Sequence, residues 1–124
     1  MNGRGLAYQG LKWRAMVLLV FGRTAAARAT FDEMLRRWPA DGYALSSRSH
    51  VRAQQGQRDG AIADLQTLVA AQPERSAADW FNLAYLFEEG SRFADAEPAF
   101  RRALALDPKL DRAWYGLGLA LIQL

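Results

Sequence analysis

Residues 80–108 read WFNLAYLFEEGSRFADAEPAFRRALALDP. Two amphipathic helices are written in this stretch. Trp80, Leu83, Ala84 and Phe87 recur at i, i+3, i+4 and i+7, which is one face of a helix. Phe93, Ala96, Phe100 and Ala103 follow at i, i+3, i+7 and i+10, again one face of a helix. Gly90 between them permits a tight turn, because a positive φ costs glycine little. Pro108 closes the second helix, since proline has no amide hydrogen to donate and disfavours a helical residue before it.

The same punctuation recurs on both sides. Gly22, Gly56 and Gly90 form one column, Ala27, Ala61 and Ala96 a second, and Pro39, Pro73 and Pro108 a third, at a period of 34 to 35 residues. Phe31, Leu65 and Phe100, with Met34, Leu68 and Ala103, fill the apolar face of each second helix. The units are 8–41, 42–75 and 77–110, with a half unit 111–124 and a tail at 1–7. Ser76 is a linker residue, and Ser76-x-x-Asp79 has the form of a capping box. Asp41 and Asp111 are candidate N-caps. Pro98 lies early in a helix, where a missing amide disturbs least.

These residues resemble the tetratricopeptide repeat (TPR) family, whose unit carries Trp-x-x-Leu-Gly-x-x-Tyr in its first helix, Ala-x-x-x-Phe in its second and a terminal proline. The third unit fits closely, and the fourth supplies Trp114, Leu117, Gly118 and Leu121. The first has Leu11, Ala15 and Leu18, with Arg14 as an odd member. The second departs most, with Leu45 in place but Arg48 and Arg52 where apolar residues are usual. The resemblance runs from Tyr8 to Leu124 and implies an all-α fold. That fold is an α-solenoid of about seven helices, stacked as antiparallel hairpins into a right-handed superhelix. First helices would line a concave groove, and the implied function is a scaffold binding a peptide or partner protein there.

Carried over residue by residue, the groove face offers Trp13 from the first unit, with Gln9, Lys12 and Met16 beside it. Tyr43, Ser46, Ser47 and His50 come from the second, and Phe81, Asn82, Tyr85 and Glu89 from the third. Arg112, Tyr115 and Leu119 come from the fourth. Rigid aromatic side chains give contact area at small entropic loss and recur as binding hot spots. Asn82 stands where the family keeps an asparagine that hydrogen-bonds a ligand backbone. Some members clamp the carboxylate of chaperone tails with lysine, asparagine and arginine; of those positions only Asn82 agrees, which argues against such a clamp.

Composition narrows the rest. The 124 residues include no cysteine, so disulfides and thiolate chemistry are excluded. Sixteen basic and thirteen acidic residues leave a net charge of +3, too little for a dedicated nucleic-acid binder. The pairs Arg36-Arg37 and Arg101-Arg102 read as solvated helix surface. His50 is the single histidine, too little for a hydrolase triad or a zinc site. Glu88 and Glu89 diverge by about 100° on a helix and cannot form a catalytic pair. Gly3 and Gly5 frame no phosphate loop. The expectation is therefore a non-enzyme with no cofactor and no metal.

Two features concern the chain's surroundings. Lys12 and Arg14 precede an apolar run, Ala15–Phe21, and Ala25-Ala26-Ala27 follows, in imitation of a targeting segment. The run is far short of the ~18 residues a membrane span needs, and the repeat register already accounts for it. A cytoplasmic protein is expected, or a periplasmic one if the run is a leader. The last helix is apolar all round, with Trp114, Leu117, Leu121, Ile122 and Leu124. It implies either a fragment of a longer repeat protein or self-association through this end. Two further roles fit the pattern: an accessory domain of a larger enzyme or membrane protein, and a secretion-type chaperone, against which the basic balance argues.

Overall fold

The computed structural model describes residues 5–124. They form seven helices and no strand: α1 (Gly5–Val20), α2 (Thr24–Arg37), α3 (Gly42–Gln54), α4 (Arg58–Ala71), α5 (Ala77–Glu89), α6 (Phe93–Leu106) and α7 (Asp111–Gln123). Each packs on the next in the chain, and α5 also touches α7. Gly5, Leu6 and Ala7, expected in a tail, extend α1 instead; residues 1–4 of that tail, Gly3 among them, lie outside the described residues. Among the described residues no helix is long and apolar enough to cross a membrane. The apolar run at Ala15–Phe21 is mostly the second half of α1, with Ala15 fully buried.

The repeat columns are the core. Ala27, Ala61 and Ala96 are completely buried, as are Phe31, Leu65 and Phe100 to within 2%. The small residues let paired helices approach closely, and the large ones fill the space between units. The first-helix column Ala15, Ser49 and Ala84 is buried for the same reason. Ser49 is tolerated there because its hydroxyl donates to the Ala61 carbonyl at 3.0 Å. The Trp and Pro columns are joined directly: the indole N–H of Trp80 donates to the Pro73 carbonyl at 2.7 Å, and that of Trp114 to the Pro108 carbonyl at 2.8 Å.

The turns correct one column. Gly22 and Gly56 hold φ of 71° and 76°, and the amides of Arg23 and Gln57 then close on Leu18 and Arg52. In the third unit the same bond runs from Arg92 to the Phe87 carbonyl, and the residue with positive φ is Ser91, at 59°. Gly90 has an ordinary φ of −88°. The linker residue Ser76 precedes this unit, so each structural equivalent sits one place later than an even 34-residue count puts it. Serine in this region costs roughly 1 kcal/mol relative to glycine. Ser91→Gly is expected to stabilise the chain by about that much in urea unfolding; no gain would mean the turn is not strained.

The caps divide. Asp41 accepts the Ala44 amide at 2.9 Å and the Tyr8 hydroxyl at 3.2 Å, so it caps α3 and fastens α1 to it. Ser76 caps α5 through the Ala78 amide. Asp79, expected to complete a capping box, instead takes both short bonds from the Arg75 guanidinium, at 2.8 Å. Asp111 is the first residue inside α7, and Leu110 holds the cap position. Pro98 sits inside α6, which runs unbroken through it.

Arg48 and Arg52 have a reason for breaking the apolar columns. Asp64 on α4 is buried, and its carboxylate takes a two-pronged bond from Arg48 at 3.0 and 2.6 Å and a third from Arg52 at 3.1 Å. Arg48 also reaches Asp32 on α2 at 2.8 Å. Hydrogen bonding to Asp64 raises the Arg48 guanidinium further above its ordinary value, against the opposing effect of burial. One polar cluster thus ties α2, α3 and α4.

Candidate functional site: the cleft across α3, α5 and α7

A cleft of about 920 Å³ opens on the face formed by the first helices. α3 contributes Ser46, Ser47 and His50, α5 contributes Asn82, Tyr85 and Glu89, and α7 contributes Arg112, Tyr115 and Leu119. On α5 these residues follow at helical spacing, so each turn presents one side chain to the opening. Leu65 and Phe100 from the second helices form the floor.

The residues read from the sequence separate into three groups. His50, Asn82, Tyr85, Glu89, Arg112 and Tyr115 line the cleft and are exposed. Tyr85 is 48% exposed and Tyr115 71%, so two rings face solvent. Phe81 also borders the cleft but is buried, at 8%. It stacks on Tyr85 at 6.3 Å between centroids and tilts against Phe100 at 6.0 Å, while the Arg112 guanidinium lies 4.7 Å over its ring. The expected open groove ring is therefore a piece of core beneath the groove.

Trp13 and Tyr43 do not line the cleft. Trp13 is exposed on α1. Tyr43 packs edge-on against Phe31 at 5.9 Å with the Lys12 ammonium 4.9 Å above its ring. Burial raises its hydroxyl above the ordinary value, Ser47 lowers it by hydrogen bonding, and the Asp41 charge raises it.

The cleft carries charge at both ends. Arg112 is held near the start of α5 by the Phe81 ring. Near the end of α5 stands Glu89, and the Tyr85 hydroxyl is raised above its ordinary value, first by hydrogen bonding to Glu89 and then by the Glu89 charge. Glu88 adjoins it in the cleft wall. Sequence reasoning weighed Glu88 only as half of a catalytic pair and missed its place here. Gly116 went unnoticed as well, although it is buried against Phe100. Among the described residues no three acidic or histidine side chains gather to hold a metal ion.

A family model described as tetratricopeptide repeat matches residues 2–42, 47–111 and 81–124. No curated protein matches. Solved structures share the fold. A tetratricopeptide repeat protein from Parabacteroides merdae superposes with a TM-score of 0.87 at 20% identity, over 98% of this chain and 47% of that one. MamA from Desulfovibrio magneticus gives 0.80 at 23% identity, over 93% of this chain and 64% of the other. This chain thus spans less than two thirds of either protein. The type III secretion chaperone SycD of Yersinia enterocolitica, solved with a peptide of the translocator YopD, gives 0.86 at 16% identity, over 99% and 98%. Helix hairpins with buried alanine columns, prolines at the ends of the second helices and a model matching almost the whole length agree: this chain belongs to the tetratricopeptide repeat family.

Proposed function

We propose that the chain is a binding scaffold rather than an enzyme, and that it holds a peptide segment of a partner protein in the cleft across α3, α5 and α7. The observation that carries this reading is the exposure of Tyr85 and Tyr115 beside the Asn82 amide in one cleft. The rings supply contact area, and the amide can donate to and accept from an extended backbone. SycD, similar in fold, was solved with a peptide, which supports the reading and leaves a chaperone role as its nearest variant. Units 8–41, 42–75, 77–110 and 111–124 are the proposed architecture of the scaffold.

The test replaces Asn82, Tyr85 and Tyr115 together by alanine. Phe81 is left alone, because removing a buried ring would unfold the unit. The variant is expected to keep its helical circular dichroism and to bind a partner isolated by pull-down at least tenfold more weakly. Unchanged affinity would remove the cleft from the function.

The bare face of α7 favours a second role. On α5, Trp80 is covered by the Arg102 guanidinium of α6, 5.0 Å from the ring, and Phe87 is buried. The equivalent Trp114 and Leu121 on α7 are 53% and 44% exposed. Self-association through α7 would cover them. Sedimentation of the full chain is expected to show a concentration-dependent dimer that Trp114→Ser abolishes; a monomer at millimolar concentration contradicts it.

A further inference from the structure

Glu88 differs from the other charged side chains of the cleft wall, Glu89 and Arg112, in being partly buried. It lies partly buried on α5, one turn beyond Tyr85, and its Oε2 is fully buried without a hydrogen-bond partner. Burial pushes its carboxyl above the ordinary value. A carboxylate in such a place is costly unless a cation or donor meets it.

No cation among the described residues pairs with Glu88, although Arg58 lies against Gly90 and the Arg52 Nε is itself buried without a partner; the others near this face are engaged elsewhere. Arg112 sits over Phe81, seven residues earlier on α5, about 10 Å along the helix axis. Arg48 and Arg52 on α3 are held by Asp64, and Arg48 also by Asp32. Arg92, just past the end of α5, lies over the Phe87 ring and pairs with Asp95. If the side chain served packing alone, glutamine or methionine would fill the same volume without the charge. The exposed rings of Tyr85 and Tyr115, in the same cleft, offer faces on which an aliphatic stem and its cation can lie.

We propose that Glu88 is the receptor for a basic side chain, lysine or arginine, of the peptide that occupies the cleft. The proposal rests on the peptide-binding reading above and adds to it the chemistry of the segment recognised: an apolar stretch carrying one cation. Arg112 at the opposite end of the cleft gives the site a direction, since it repels that cation and leaves Glu88 as its seat.

The experiment uses the full chain, isotope-labelled, and two blocked pentapeptides. One is acetyl-Leu-Ala-Lys-Ala-Leu-amide; the other carries norleucine in place of lysine, with the same stem and no charge. Binding is followed by the amide shifts of Asn82, Tyr85 and Tyr115. The wild-type chain is expected to bind the lysine peptide at least tenfold more tightly than the norleucine peptide. Glu88→Gln is expected to abolish that preference while leaving norleucine binding unchanged, and Glu89→Gln to keep the preference. Equal binding of the two peptides to the wild-type chain, or a preference that survives Glu88→Gln, overturns the assignment. If neither peptide shifts the three cleft residues, the peptide reading of the cleft fails and this inference falls with it. Glu88→Gln is expected to melt no lower than the wild type, which separates lost recognition from lost fold.

Discussion

Asp64→Ala is expected to destabilise the chain by about 3 kcal/mol, the largest effect of any single polar substitution. The magnitude follows from what is left behind. The Asp64 side chain is 4% exposed, and the Arg48 and Arg52 side chains 18% and 19%. Removing the shared carboxylate strands two largely buried guanidinium groups, with only Asp32 remaining to Arg48. An exposed ion pair would contribute less than about 1 kcal/mol, so burial decides the outcome. Replacing the cluster as a whole should cost far less. A chain with Asp64→Leu, Arg48→Met and Arg52→Leu makes apolar the three positions that hold Ala99, Leu83 and Phe87 in the third unit, and is expected to recover most of the loss. Urea unfolding of the single and triple variants checks both statements. A single-variant loss below about 1 kcal/mol would mean that the cluster is solvated.

The second large effect comes from a pair of glycines two residues apart on α7. Both should gain from alanine if helix propensity alone counted, by up to about 1 kcal/mol each. A Cβ on Gly116 would lie 2.3 Å from the Phe100 ring, which is 1% exposed and closed in by Phe81. A Cβ on Gly118 would meet nothing within 4 Å. Gly116→Ala therefore forces α7 away from α6 and is expected to destabilise by about 2 kcal/mol net, in the range of overpacked cores. Gly118→Ala is expected to stabilise by nearly the full propensity term. Opposite signs in thermal melts are the result that matters. A gain at Gly116 would show that Phe100 yields freely and that the contact between α6 and α7 is loose. Loosening α7 would also displace Arg112, Tyr115 and Leu119 from the cleft, so Gly116→Ala should weaken the binding proposed for it where Gly118→Ala does not.

Much of this fold was legible because its contacts are short in sequence. A helix pair buries alanine against alanine within one unit, and the same need recurs every 34 or 35 residues, so the columns announce the hairpins. Asp41 and Ser76 were readable as caps because a cap answers only to the next turn of its own helix. The positive-φ position in the third unit was misread, as Gly90 for Ser91, because glycine identity outweighed the one-residue shift at Ser76. The capping box failed for a related reason: Asp79 had a stronger charged partner in Arg75, one turn earlier. The ion cluster was invisible, since Arg48 and Asp64 are sixteen residues apart and no repeat rule pairs them.

The site divides in the same way. The family resemblance implied that His50, Asn82, Tyr85, Glu89, Arg112 and Tyr115 share one face of the first helices, and all six line the cleft. The resemblance could not tell Phe81, pinned beneath Arg112 and against Phe100, from the open Tyr85 one turn later. Nor could it tell that Tyr43 would be taken up by Phe31 and Lys12.

What the sequence determined by itself is the set of helices and the hairpin pairing, because both depend on neighbours within a few turns of the chain. What only the tertiary structure decided is which ring is floor and which is open, where a carboxylate is left without a cation, and how much of α7 stays bare. Those depend on the offset between one unit and the next. That offset is set by the bulk of side chains meeting across units, Phe100 against Gly116 above all, and a repeating pattern of residue types does not encode it.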